Sequence, residues 1–143
     1  MEETPNQDPL TQIGWATGQF VRLHDTRSNN GVGDDSHSFS FDGSHQFKWF
    51  GTSTSWGTAF KPRGNRVLGV AVDMKNGKLL FGLDGNWGHP MGVAFEGVDT
   101  NVGLYPAFSG SWHKISVNFG ERDMKYGPPD NSFEKIIDVI QGK

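Results

Sequence analysis

Hydrophobic and polar positions alternate with a period of two along most of this chain, the pattern of strands buried on one face. The clearest case is 66–85: Val70 and Val72 alternate with small residues, and Leu79, Phe81 and Leu83 alternate again beyond a turn. Between them Asn76-Gly77 supplies the strongest short-range hairpin signal, because tight turns need positive φ that these residues tolerate. This central hairpin orders its neighbours. Ile13 and Trp15 mark a first strand within 12–17. Phe39 and Phe41, then Phe47 and Trp49, predict a second hairpin turning at Asp42-Gly43-Ser44. A short strand is expected over 91–95, and an edge or bulged strand over 102–108, where Pro106 removes a ladder donor. Ile115, Val117 and Phe119 predict a clean final strand. Trp15, Trp49, Phe81, Phe95 and Phe119 are the expected core aromatics, with Trp56 and Trp87 open between core and turn.

Between these runs lie a polar, Asn- and Gly-rich surface loop over 22–35, a loop over 51–63 and a Gly-rich turn around Trp87 over 84–90. After Pro128-Pro129 the period changes: Phe133, Ile136, Ile137 and Ile140 have helical spacing, with Asn131 or Ser132 placed to cap. The expected organisation is a flexible lead-in over 1–10, one β domain over 11–127, and a tail over 128–143 with a short helix.

Composition narrows the class. In 143 residues there are 20 Gly, 11 Phe and 5 Trp but only 20% charged residues, which favours an all-β sandwich over a helical protein. Cysteine is absent, so disulfides, thiolate metal sites and Cys nucleophiles are excluded. A formal net charge of -3 without any basic run argues against sequence-independent nucleic-acid binding. The acidic, polar start is not expected to act as a leader peptide, and no apolar run approaches the roughly 20 residues that cross a bilayer. An intracellular, cytoplasmic domain is the expectation.

Candidate chemistry is sparse. Asp34, Asp35 and His37 suggest metal ligands or an acid/base pair, but neighbouring residues at a strand entry point in different directions, so shared coordination is awkward. Gly31-Val32-Gly33 lacks the strand-loop-helix context of a phosphate loop. Ser109 and Ser111 lie near His113 without a nucleophile elbow. Glu121-Arg122-Asp123 begins a glycosidase-like carboxylate pattern, yet Met124, Lys125 and Tyr126 follow where the second Glu is needed. The expectation is no catalysis, no metal and no cofactor. For binding, Trp112 stands out in Gly110-Ser111-Trp112-His113, a turn between strand blocks that should expose a large aromatic. Arg27, Asp34 and Asp35 are loop charges suited to adding specificity.

The blocks GVGDDSHSFSFDG (31–43), VAVDMKNGKLLFGLDG (70–85), MGVAF (91–95), LYPAFS (104–109) and VNFG (117–120) resemble the SPRY domain family in order and spacing. The resemblance covers about 13–133. It implies a bent antiparallel β-sandwich of the concanavalin-like kind that binds protein partners through loops at one end. It also implies a partner contact for Trp112, since the similar SOCS-box-associated SPRY proteins carry a Trp in the equivalent turn that touches their peptide ligand. Ser40 falls at a family contact position usually held by Tyr.

Family members usually carry several strands before the block resembling QIGWAT (12–17); here about a dozen residues that are not strand-like precede it. Unpaired edges invite another chain, so completion by a second polypeptide, by self-association or by an unusual rearrangement is expected. Three functions follow for testing. The first is a non-catalytic interaction module using Trp112, Ser111, His113, Ser40, Arg27, Asp34 and Asp35. The second is a scaffold subunit joined through an incomplete sheet edge. The third is a lectin-like carbohydrate-binding module.

Overall fold

A computed structural model describes residues 11–20, 31–59, 66–110 and 115–140. Within them the chain is all-β, with two antiparallel sheets and one short helix, as the sandwich class requires. In chain order the elements are β1 (Thr11–Ala16), β2 (Ser38–Asp42), β3 (Phe47–Phe50), β4 (Thr52–Ser55), β5 (Leu68–Asp73), β6 (Lys78–Leu83), β7 (Gly92–Phe95), a 3-10 turn (Thr100–Val102), β8 (Tyr105–Gly110) and α1 (Ile136–Ile140). They divide between two compact units, Met1–Pro62 with Asn101–His113 and Arg63–Thr100 with Lys114–Lys143.

The first unit holds a five-stranded sheet in the order β4-β3-β2-β1-β8. Its register aligns Ile13 with Phe41 and Phe108, and Trp15 with Phe39 and Pro106, so one face is apolar. Phe41 is fully buried and meets the Trp56 ring edge-on, while Phe39 stacks flat on Phe50 at 4.5 Å. The opposite face aligns Gln12 with Asp42 and Ser109, and Gly14 with Ser40 and Ala107. Pro106 sits on the edge strand β8, where a missing donor costs least. The β2–β3 turn is closed by Asp42, whose carboxylate accepts from the Ser44 and His45 amides and lies 2.8 Å from His45 Nδ1.

The second unit is built on the predicted hairpin, in the order β5-β6-β7. Leu79 and Phe81 are fully buried, paired with Val72 and Val70. The hairpin loop is 74–77, longer than a two-residue turn, and only Gly77 in it takes positive φ (65°). Asp73 organises that loop, accepting from the Lys75 and Asn76 amides and from the Asn76 side chain. A Cβ on Gly77 would stand 2.6 Å from the Val98 carbonyl, which is why the position is glycine. At the other end, Asp84 accepts from the Val67 amide and from the Arg66 guanidinium. The Val67 amide, then Arg66, hold the Asp84 carboxyl below its ordinary range against some desolvation.

Several expectations are corrected. The stretch over 51–63 is not all loop: Thr52–Ser55 forms β4, paired with β3 after a turn at Gly51 (φ 73°). Residues 115–119 form no strand. Their polar groups are engaged outside any ladder: the Phe119 amide donates to Glu121, Arg122 reaches the Val117 carbonyl, and the Phe119 carbonyl accepts from the Ile137 amide. Phe119 is 37% exposed rather than core, and Trp49 is only half-buried. The helix is confined to Ile136–Ile140, too far along the chain for Asn131 or Ser132 to cap it. Asp130 binds the Ser132 amide and hydroxyl in a separate turn. Trp15 and Phe81 are core as expected.

Candidate partner-binding face

The polar stretch 31–37 folds down onto the face of the five-stranded sheet that carries Gln12, Ser40 and Ser109. A surface loop of this composition usually meets water. Here Gly31, Val32 and Gly33 are buried, and their main-chain polar groups find partners in the sheet, in the β3–β4 turn and in Asp34. The Val32 amide donates to Ser109 Oγ at 3.0 Å and the Gly33 amide to Ser38 Oγ at 2.7 Å. The Val32 carbonyl accepts from Ser40 Oγ at 2.7 Å, and the Gly33 carbonyl from the Gly51 amide at 2.9 Å. Strands β2 and β8 and the β3–β4 turn therefore hold the loop directly.

Asp34 adds β1. Its Oδ1 accepts from Gln12 Nε2 at 2.7 Å and its Oδ2 from the Gly31 amide, while Ser109 donates to Gln12 Oε1. Asp35 closes the other end, accepting from Ser38 Oγ at 2.7 Å and from the His37 amide at 2.9 Å. The His37 carbonyl then accepts from the Thr17 amide. Both carboxylates thus bond charge-assisted to sheet and loop, the stronger class of hydrogen bond. Gln12, Ser38 and Ser40 are at most 1% exposed, so these bonds are shielded from water.

Two glycines allow the approach. A Cβ on Gly31 would lie 2.1 Å from Gln12 Oε1, and one on Gly33, at φ 96°, 2.5 Å from both Ser40 Oγ and Trp49 Cβ. The GVGDD run is therefore a built platform, with its two glycines and two aspartates fixed by named contacts.

The predicted site residues fall as follows. Ser40 lies fully buried beneath the platform, and Asp34 and Asp35 point their carboxylates into it. Their part is to position the loop. Arg27, Ser111, Trp112 and His113 lie outside the described residues. The described residues bracketing them do meet: Gly31 and Val32, which follow Arg27 in the chain, contact Ser109, which with Gly110 precedes Ser111.

Sequence reasoning missed Gln12, Ser38 and Ser109 as the seats of this platform. A signal was present: Ser38, Ser40 and Asp42 alternate with Phe39 and Phe41, so a strand apolar on one face carries only small polar groups on the other. Among the described residues no group of three His, Asp or Glu is placed to hold a metal, and no helix is long and apolar enough to cross a membrane.

Comparison with known proteins places these features. The SPRY domain family model matches residues 3–122. The chain is 29% identical to the E3 ubiquitin-protein ligase RKP of Arabidopsis thaliana over 131 residues, covering 89% of this chain and 9% of that protein. It is also 29% identical to the ATP-dependent RNA helicase Ddx1 of Drosophila melanogaster over 129 residues, covering 89% of this chain and 16% of that protein. The chain thus spans less than a fifth of the length of these relatives.

Proposed function

The chain belongs to the SPRY domain family, and we propose that it is a non-catalytic module that captures a protein or peptide partner on the loop face of its five-stranded sheet. SPRY domains are in general interaction modules. The activities in the names of the two relatives belong to much longer proteins that match this chain over a small part of their length. The observation that carries the reading is the 31–37 platform. It is fixed from β1, β2 and β8, and it brings Gly31 and Val32 against Ser109 of β8. A loop held in place before binding loses little entropy on binding. On this reading Trp112 is the aromatic anchor, Arg27, Ser111 and His113 add polar contacts, and Asp34, Asp35 and Ser40 hold the platform. The partner is protein rather than nucleic acid, consistent with the net charge of -3, and the setting is intracellular.

A second reading, a scaffold subunit joined through a sheet edge, is favoured by β4. Its four residues, Thr52, Ser53, Thr54 and Ser55, are all exposed and carry neither charge nor proline, whereas β8 at the other edge has Pro106. Quantitative mass spectrometry of proteins retained from native extract separates the two. Loop-face capture predicts that Trp112→Ala loses the retained partner with its thermal midpoint unchanged. Edge assembly predicts that Trp112→Ala keeps the partner and Ser53→Lys loses it. Strong, specific retention on a glycan array would instead favour the lectin-like reading.

A further inference from the structure

The hairpin loop 74–77 carries both reactants of a covalent reaction, together with the bonds that restrain them. In an Asn-Gly step the glycine nitrogen can attack the asparagine side-chain carbon, because no Cβ screens the approach. Here Asn76 is exposed and Gly77 is buried. Asp73 holds both reacting groups. Its carboxylate accepts from Asn76 Nδ2 at 2.8 Å, and its main-chain carbonyl accepts from the Gly77 amide at 2.9 Å. The same carboxylate takes the Lys75 and Asn76 amides. In return the Asn76 side chain, then its amide, hold the Asp73 carboxyl below its ordinary range. Farther along the chain, the Val98 amide donates to the Gly77 carbonyl at 3.0 Å and Thr100 Oγ to the Met74 carbonyl.

The fold requires glycine beside this asparagine. The β2–β3 loop repeats the device, with Asp42 taking the Ser44 and His45 amides and the His45 ring. There the left-handed position is filled by Gln46 at φ 61°, against Gly77 at φ 65°. Only at 77 would a Cβ strike the Val98 carbonyl. Packing against Val98 therefore fixes the glycine, and the bond to Asp73 fixes the asparagine.

We propose that Asn76 is a deamidation site gated by opening of the hairpin loop, with Asp73 as the residue that keeps it closed. In the opened loop the Gly77 nitrogen, having given its proton to water, bonds to Asn76 Cγ. The Cγ–Nδ2 bond breaks, the departing nitrogen takes up a proton, and ammonia leaves behind a succinimide. Water then opens that ring at either carbonyl, giving aspartate or isoaspartate at position 76. Water is the co-reactant, and nothing is oxidised or reduced. Either product replaces a donor with a carboxylate facing that of Asp73, and like charges at such range repel. Asp130 already lies in the field of Asp73, so the change gathers three acids there. Isoaspartate also adds a methylene to the main chain, so Gly77 loses its fit between Asp73 and Val98. The modification turns a closed hairpin end into an open, more acidic one. It rests on none of the residues assigned to the loop face.

A reaction that proceeds only from an open form slows with the population of that form. Releasing two net hydrogen bonds corresponds to a slowing of about tenfold to a hundredfold.

Conversion of Asn76 is followed at mildly alkaline pH by mass spectrometry of the digested chain, with both products separated against synthetic standards. The chain has a second Asn-Gly step, Asn30-Gly31, so conversion is assigned peptide by peptide. The unrestrained reference is the free hexapeptide Met-Lys-Asn-Gly-Lys-Leu, copied from 74–79. Asn76 in the wild-type chain is expected to convert at least about tenfold more slowly than the peptide, and Asp73→Ala should recover most of that ratio. Asp73→Asn keeps an acceptor for the loop amides and should fall between the two. A wild-type rate equal to that of the peptide, or an Asp73→Ala rate equal to wild type, would overturn the proposal. If Asp73→Ala fails to unfold cooperatively, Asp73→Asn takes its place: a rate between wild type and peptide supports the proposal, and a rate equal to wild type overturns it.

Discussion

The stretches 31–37 and 115–119 invert what their polarity suggests. The first is glycine, aspartate and serine for the most part, yet Gly31, Val32 and Gly33 are buried and pinned to a sheet. The second alternates Ile115, Val117 and Phe119 as a strand should, yet it enters no ladder, and Val117 and Phe119 are 41% and 37% exposed. The difference lies in partners. Polar main chain can be buried when every donor and acceptor is matched, and 31–37 is matched by Gln12, Ser38, Ser40, Gly51 and Ser109. Alternation earns a strand only when a neighbour offers an edge in register. Around 115–119 the hydrogen bonds run to Glu121, Arg122 and the Ile137 amide instead.

The contrast can be broken by mutation. The largest effect is expected at Gly33, where positive φ and the Ser40 and Trp49 contacts both oppose a side chain. Gly33→Val should cost about 3–4 kcal/mol in urea unfolding, or prevent folding; Gly127, with open space around it, should take alanine within about 0.5 kcal/mol. A tolerant Gly33 would mean that the platform is not packed as described. Next, Asp34→Ala strands the buried Gln12 amide and the Gly31 N–H, and a loss of about 2–3 kcal/mol is expected from the same measurement.

Smaller effects belong to the second unit. The carboxylate of Asp84 is held below its ordinary range by the Val67 amide and then by Arg66. A depressed folded pKa means stability that is present above the unfolded value, about 4, and lost as pH falls through the folded one. Asp84→Asn should therefore flatten the fall of the thermal midpoint with acid below about pH 4. The loss near neutrality should be no more than about 1 kcal/mol, because the pair is solvent-screened. An unchanged acid profile would show that this contact does not act through ionisation. Smallest of all, Phe119→Ser should shift stability by about 0.5 kcal/mol. A loss near 3 kcal/mol would show Phe119 to be core after all and remove the contrast.

The strands themselves were legible where side chains alternate against a paired neighbour. The hairpin β5–β6 follows from Val70, Val72, Leu79, Phe81 and Leu83, and β2 from Phe39 and Phe41. Strand β4 was not legible, because Thr52, Ser53, Thr54 and Ser55 carry no apolar period and pair through the main chain alone. The Asn76-Gly77 signal located a turn but not its length, which Asp73 sets by capping two amides of a longer loop. At the candidate site, the resemblance marked 31–43 as a block without saying what its residues do. That Asp34 and Asp35 face inward depends on Gln12 and Ser38, partners brought together only by folding, and no local pattern reports them.

Native-state hydrogen exchange tests the contrast most directly. The amides of Gly31, Val32, Gly33 and Asp34, each with an internal acceptor, should exchange near the global unfolding limit. Those of 116–119 should exchange on the order of a hundredfold faster, roughly 3 kcal/mol less in opening free energy. Equal protection of the two stretches, or faster exchange over 31–34, would contradict a preformed platform beside an unpaired strand-patterned segment.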